Sequence, residues 1–184
     1  MDLTGFELVG YTSGLSAGLT EALADLDDDE LVTAARGGYA AVPLRRVHAD
    51  ATVVEHRLAT SEGVAILDVR LPPGLSPLRH AGDRPEVVGL RLAAVRIGLA
   101  RKLLDQALVP PAMPAPLLRW RLTLPTITDI VSALEAVHHH LTGLAGHPSR
   151  KEVADVHARL THLDWQVAML FAPDGYHGDH PVRA

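Results

Sequence analysis

The sequence predicts an α+β protein, mainly α. An antiparallel bundle of three long helices over residues 84–184 follows a small strand-containing α/β segment over residues 1–77. Three observations predict it. The apolar period changes from two, between Tyr39 and Leu71, to 3.6 after Asp83. The stretch Pro72-Pro73-Gly74 with Ser76-Pro77 separates the two regimes and marks the domain boundary. Finally, 184 residues with 47% hydrophobic and 21% charged residues can enclose a core and do not have a disordered or coiled-coil composition. Aromatics at 4% require that core to be aliphatic.

The elements follow in order. A Ser/Gly/Leu stretch, Thr12 to Thr20, runs into an apolar-periodic piece at Leu19–Leu26. Asp27 with Glu30 three residues on forms a capping box for a helix that stops at Gly37. Alternation then predicts three strands: Ala41-Val42-Pro43-Leu44 with Val47, Thr52 to Leu58, and Gly63 to Val69. Ala49-Asp50 and Ser61-Glu62-Gly63 are the turns between them. Pro85 opens a helix that runs from Val87 to Leu108 and is apolar around most of its surface, which predicts burial at the centre of the molecule or at a subunit interface. Arg91, Arg96 and Arg101 are then the groups to pair across such an interface. Residues 110–116, rich in proline, form an extended connector. A second helix spans Leu117 to Leu144, with a kink or break expected at Pro125. The Ser149–Glu152 capping box opens a third, which reaches Phe171.

Charge narrows the function. Residues 1–36 hold eight acids and one base, and the remainder fourteen acids and sixteen bases, so no basic stripe exists to neutralise phosphates and nucleic acid is not an expected partner. There is neither a basic leader nor an apolar run of about 18 residues, so a cytoplasmic protein without membrane contact is the expectation. Two lysines against fifteen arginines suit a high-GC bacterial source. With no cysteine, disulfides, thiolate metal sites and cysteine nucleophiles are excluded.

Eleven histidines invite a metal reading, but their spacing opposes it. His138, His139 and His140 fan about 100° apart on a helix. His157 and His162 are five residues apart, not three or four. His177, Asp179 and His180 form the nearest thing to a cluster, without a zinc-type spacing, and no metal is expected. The acids at 27–30 are more simply explained by the helix macrodipole than by a cation. Phosphate-cradling motifs and nucleophile elbows are lacking, and Gly14, Gly18, Gly37 and Gly38 lack the strand–glycine–helix setting. Trp120 and Trp165 lie among apolar residues and are expected in the core.

The last two-thirds carry a resemblance. The stretch from Leu92 to Ala107, the helix holding Thr128 to Ala136, and the closing run Phe171 to Arg183 follow one another with the order and spacing of the C-terminal bundle of acyl-CoA dehydrogenases. The closing run is similar to that family's Gly-Gly-x-Gly-Tyr motif with its later Pro and Arg. Val47 to Asp50 resembles, more weakly, the end of the family's β-domain. The resemblance implies a bundle that helps hold FAD and an acyl-thioester across a dimer interface, and it carries over Gly175, Tyr176 and Arg183 as cofactor-binding positions.

The departures from the family are as informative. Val88 stands near one location of the family's glutamate base, with Glu86 half a turn away, and no catalytic residue can be assigned. Residues 110–116 replace the flavin-contacting arginine segment, although Arg119 or Arg121 are nearby substitutes. Ala172-Pro173 replaces the glycine pair, and proline removes an N–H donor from the pyrophosphate site. FAD is therefore expected only if shared with a partner chain, and the isolated chain is expected not to hold it tightly. The resemblance thus implies one component of a heteromeric flavin-dependent acyl-thioester dehydrogenase of bacterial secondary metabolism. One alternative is a flavin-free acyl- or polyketide-binding protein, or a non-redox enzyme such as a cyclase; another is a structural dimerisation subunit. A homo-oligomer, or a heteromer with an acyl-CoA dehydrogenase-like subunit, is expected in each.

Overall fold

The computed structural model describes residues 1–27, 30–31, 38–48, 50–69, 84–108 and 117–171, with side chains in the last two ranges from Pro85 and Leu124 onward. The chain is mostly helical with one small antiparallel sheet. Helices α1 (Thr4–Ser13) and α2 (Leu15–Ala22) come first, then strand β1 (Tyr39–Pro43), a 3-10 turn (Leu44–Arg46), strand β2 (Val53–Val54), helix α3 (Arg57–Ser61) and strand β3 (Val64–Asp68). The long helices α4 (Arg84–Leu108), α5 (Leu117–Gly143) and α6 (Arg150–Leu170) complete it.

The three long helices stand where the 3.6 period predicts them. On α5 the buried positions Ile127, Ile130, Leu134, Val137 and Leu141 alternate steps of three and four, which keeps them on one face; on α6 Val153, Val156, Leu160, Leu163 and Val167 do the same. Ser149 and Glu152 form the expected capping box, each satisfying a backbone N–H of the other at the start of α6. Helix α5 continues through Pro125, so the connectivity is not broken there.

Helix α4 is buried or half-buried along nearly its whole length, and the sequence offered two ways to achieve that. The single chain covers it: α5 and α6 lie on one side, α1 and α2 on the other. Its arginines, expected as groups to pair across an interface, all have partners within the chain. Arg91 meets Asp25 at 2.5 Å, Arg96 meets Asp164 of α6 at 2.7 Å, and Arg101 binds Glu7 of α1 and, at 2.6 Å, Glu135 of α5. A step of five residues turns a helix by about 140°, so three arginines at that spacing aim at different neighbours.

Helix α1 has no apolar stripe and went unpredicted. Its buried positions are Glu7 and Gly10. A Cβ on Gly10 would overlap the Val95 carbonyl oxygen, and one on Gly98 would overlap the Glu7 carbonyl oxygen, so the two backbones touch through paired glycines. Leu3 joins the core of the three long helices, whereas Val88 of α4 joins the core under the sheet. The division between residues 1–77 and 84–184 therefore does not separate two cores. The expected boundary at 72–77 lies outside the described residues.

The sheet has the order β1-β3-β2, all antiparallel. Ala40 faces Leu67 and Val42 faces Ala65, and this inward row packs with Leu19 and Leu23 from α2 and the segment after it. The strand expected from Thr52 to Leu58 is corrected: only Val53–Val54 pair, and the chain then turns into α3. The reason is His56, whose Nδ1 accepts the Ala59 N–H at 3.1 Å and caps a helical turn. Val47, expected to extend the first strand, instead closes the 3-10 turn. Arg46 ties the sheet to the end of α2 by donating to the carbonyls of Leu23 and Leu26, both at 2.8 Å. Asp27 and Glu30 make the predicted reciprocal cap, at 2.8 and 3.1 Å, while the helix stop at Gly37 lies outside the described residues.

Candidate functional site

Among the described residues an amphipathic groove of about 260 Å³ runs along α4 and α6. Its position follows from helix geometry. Helix α4 presents Arg96, Leu99, Ala100, Leu103 and Gln106, which recur every three or four residues and so line one strip. Helix α6 faces it with Asp164, Val167 and Ala168, while Leu15 and Glu62 close the end nearest the sheet and Lys102 stands on the rim. The small side chains of Ala100 and Ala168 leave the space that larger residues would fill. The lining is aliphatic with a polar group at intervals, the composition of a site for an apolar chain carrying a polar head. Gln106 Oε1 is buried and lacks a hydrogen-bond partner among the described residues.

One polar network holds the wall of the groove. Arg96 donates from Nη2 to Asp164 Oδ2 at 2.7 Å and to Thr161 Oγ1 at 3.0 Å, and from Nη1 to the His157 carbonyl at 3.3 Å. Its Nη1 also lies 3.0 Å from His157 Nδ1, and His157 Nε2 lies 3.0 Å from the Gly89 carbonyl. A guanidinium only donates and a carbonyl only accepts, so the imidazole is neutral, with its proton on Nε2. Burial lowers the pKa of His157, and the Arg96 charge lowers it further, against the opposing Gly89 hydrogen bond.

A second network lies across α4. The carboxylate of Glu7, 7% exposed as a residue, is held by Arg101 and lies 2.9 Å from His138 Nδ1. Beside it Tyr11 donates to Asp105 at 2.7 Å, which raises the Tyr11 pKa. This network binds α1 to the long helices. Sequence reasoning did not find Glu7, because one acid in a glycine-containing stretch has no periodic signature.

Three of the histidines on the long helices face different partners. His138 faces Glu7, His157 faces Arg96, and His162 contacts Gln166 at 3.2 Å. Among the described residues no group of three metal-ligating side chains converges. His177, Asp179 and His180 lie outside the described residues, as do Gly175, Tyr176 and Arg183, Ala172-Pro173, residues 110–116, and the side chains of Arg119, Trp120 and Arg121. Trp165 is a correction. Expected in the core, it is 61% exposed, because it falls on the far side of α6 from Leu160, Leu163 and Val167. Val88, near the family's base position, is buried in the sheet-side core, and Glu86 is half-buried at the start of α4. Neither lines the groove.

Comparison with protein families, curated proteins and solved structures finds no match for the chain. No helix among the described residues is long and apolar enough to cross a membrane.

Proposed function

We propose that the chain is a flavin-free binding protein for a short apolar chain of acyl or polyketide type, held in the groove between α4 and α6. The observation that supports this reading is the groove itself: an aliphatic floor of Leu99, Leu103 and Val167, two cations (Arg96 and Lys102) balanced by two carboxylates (Glu62 and Asp164), and an unpartnered amide oxygen at Gln106. At roughly 30 Å³ per heavy atom, the volume of a water molecule in the liquid, 260 Å³ holds about nine heavy atoms. That is the size of an eight-carbon chain with one polar atom. The groove is open to solvent along one side, so the acyl end of a longer molecule could lie in it while the remainder stays outside.

The test uses 1-octanol and octanoate, titrated by calorimetry into the full chain and into Ala168→Phe, which fills the groove from α6. Binding of either at micromolar to millimolar concentration, weakened about tenfold or more in the variant, supports the reading. Equal binding to both proteins overturns it. Mixing the chain with FAD and a dehydrogenase-like partner, followed by desalting, tests the heteromeric dehydrogenase: a flavin spectrum that appears only in the mixture would replace the flavin-free reading.

A further inference from the structure

The groove wall depends on one proton. Arg96 spans α4 and α6 through Asp164, Thr161 and His157, and both Arg96 and Asp164 line the groove. The bond from Arg96 Nη1 to His157 Nδ1 exists only while that nitrogen is bare. The opposite nitrogen is committed, because the Gly89 carbonyl at 3.0 Å requires an N–H there. The ring therefore cannot rotate to offer another lone pair without losing the Gly89 bond. A proton arriving on Nδ1 would place an N–H and a positive charge directly against the guanidinium.

We propose that His157 is a proton-sensitive positioning residue that holds Arg96 in the groove wall at neutral pH and releases it on protonation, weakening ligand binding in acid. The charged groups acting on the ring among the described residues are Arg96, from α4, and Asp164, from its own helix. They oppose each other. Asp164 favours the imidazolium but is already engaged by Arg96 at 2.7 Å, so protonation turns one satisfied triad into two cations competing for one carboxylate. The proton goes to Nδ1, the imidazole becomes imidazolium, and no covalent bond changes.

The direction with pH follows. The neutral ring is favoured in the folded state, so its folded pKa lies below the usual value near 6.5. The unfolded chain then binds the proton more readily. The stability linked to His157 is fully present above that usual value and is lost as the pH falls below it toward the folded pKa. The switch operates below the usual histidine value near 6.5, and neutral conditions keep the groove wall intact.

The ligand arm of this inference rests on the groove being a binding site; the structural arm does not. The first measurement is therefore ligand-free: nitrogen-15 NMR of the full chain between pH 7.5 and 5. A bare Nδ1 and protonated Nε2 at pH 7.5, with the Arg96 Nε–H resonance shifting at the same midpoint as the His157 ring, are expected. An Nδ1–H tautomer at pH 7.5, or an Arg96 resonance that ignores the His157 titration, would overturn the proposal. The second measurement uses 1-octanol, which has no charge to titrate. Its affinity should fall about five- to tenfold between pH 7.5 and 5, the scale of one lost hydrogen bond. In His157→Gln, whose side-chain nitrogen can still donate to the Gly89 carbonyl, it should lose that pH dependence. A pH profile of equal steepness in the variant sinks the switch. Failure of octanol to bind at any pH sinks the groove reading and leaves the NMR result to decide the fate of His157.

Discussion

The two apolar cores of this chain are built differently, although α4 runs through both. The larger core gathers Leu90, Ile97, Ile130, Leu134, Leu141, Leu160 and their neighbours along helix seams. The smaller collects Leu19, Leu23, Val42, Val64 and Ala65 between a short helix and a three-stranded sheet. In the larger, polar groups join one element to another by side-chain ion pairs: Arg101 to Glu7 and Glu135, and Arg96 to Asp164. In the smaller, the Arg91–Asp25 ion pair is joined by several links through the backbone: Arg46 to two carbonyls, Ser16 to the Gly63 carbonyl, and the ladder itself. Helices satisfy most of their backbone groups internally and meet a neighbour mainly through side chains, whereas a small sheet has edges and turns whose backbone groups need partners. Hence the groove wall, which lies between helices, depends on side-chain protonation.

The largest effect expected from breaking this contrast comes from the larger core. Leu160→Ala removes a fully buried side chain from the seam of α6 and should cost about 3 kcal/mol in urea unfolding. Val42→Ala, fully buried under the sheet, should cost about 2 kcal/mol. Because Val88 links the smaller core to α4, both variants should shift one common transition. Two separate transitions in either would show that the cores fold independently.

A smaller effect tests the glycine contact that fastens α1 to α4. Gly98→Ala drives a Cβ into the Glu7 backbone and should cost about 2 kcal/mol, because neither backbone can yield cheaply. Gly143→Ala, in open space near the end of α5, should be neutral or raise stability by about 0.5 kcal/mol. Equal midpoints for the two variants would mean that α1 is not held by this contact. The smallest expected loss is local. Ser149→Ala removes one half of the capping box and should cost about 1 kcal/mol, read as a lower urea midpoint with an unchanged slope.

The sequence by itself determined the long helices, their apolar seams, the caps at Asp27 and Ser149, and the first and last strands. Each is a local pattern, and local propensity agrees with tertiary packing at each of them. Three matters were decided only by tertiary structure. Helix α1 is buried through glycine and a paired glutamate, so periodicity is silent about it. The run after Val54 alternates like a strand, yet the His56 cap and the shortness of the β2 pairing turn it into a helix. The apolar circumference of α4 shows that it must be covered, not by what; α1 and α2 share that task with α5 and α6, and the arginines read as intermolecular close on the chain's own acids. The groove belongs with these. Its floor, its rim and the His157–Arg96 bond bring together residues up to 68 positions apart, and a distance of that kind is created by folding, not written in any neighbouring stretch of chain.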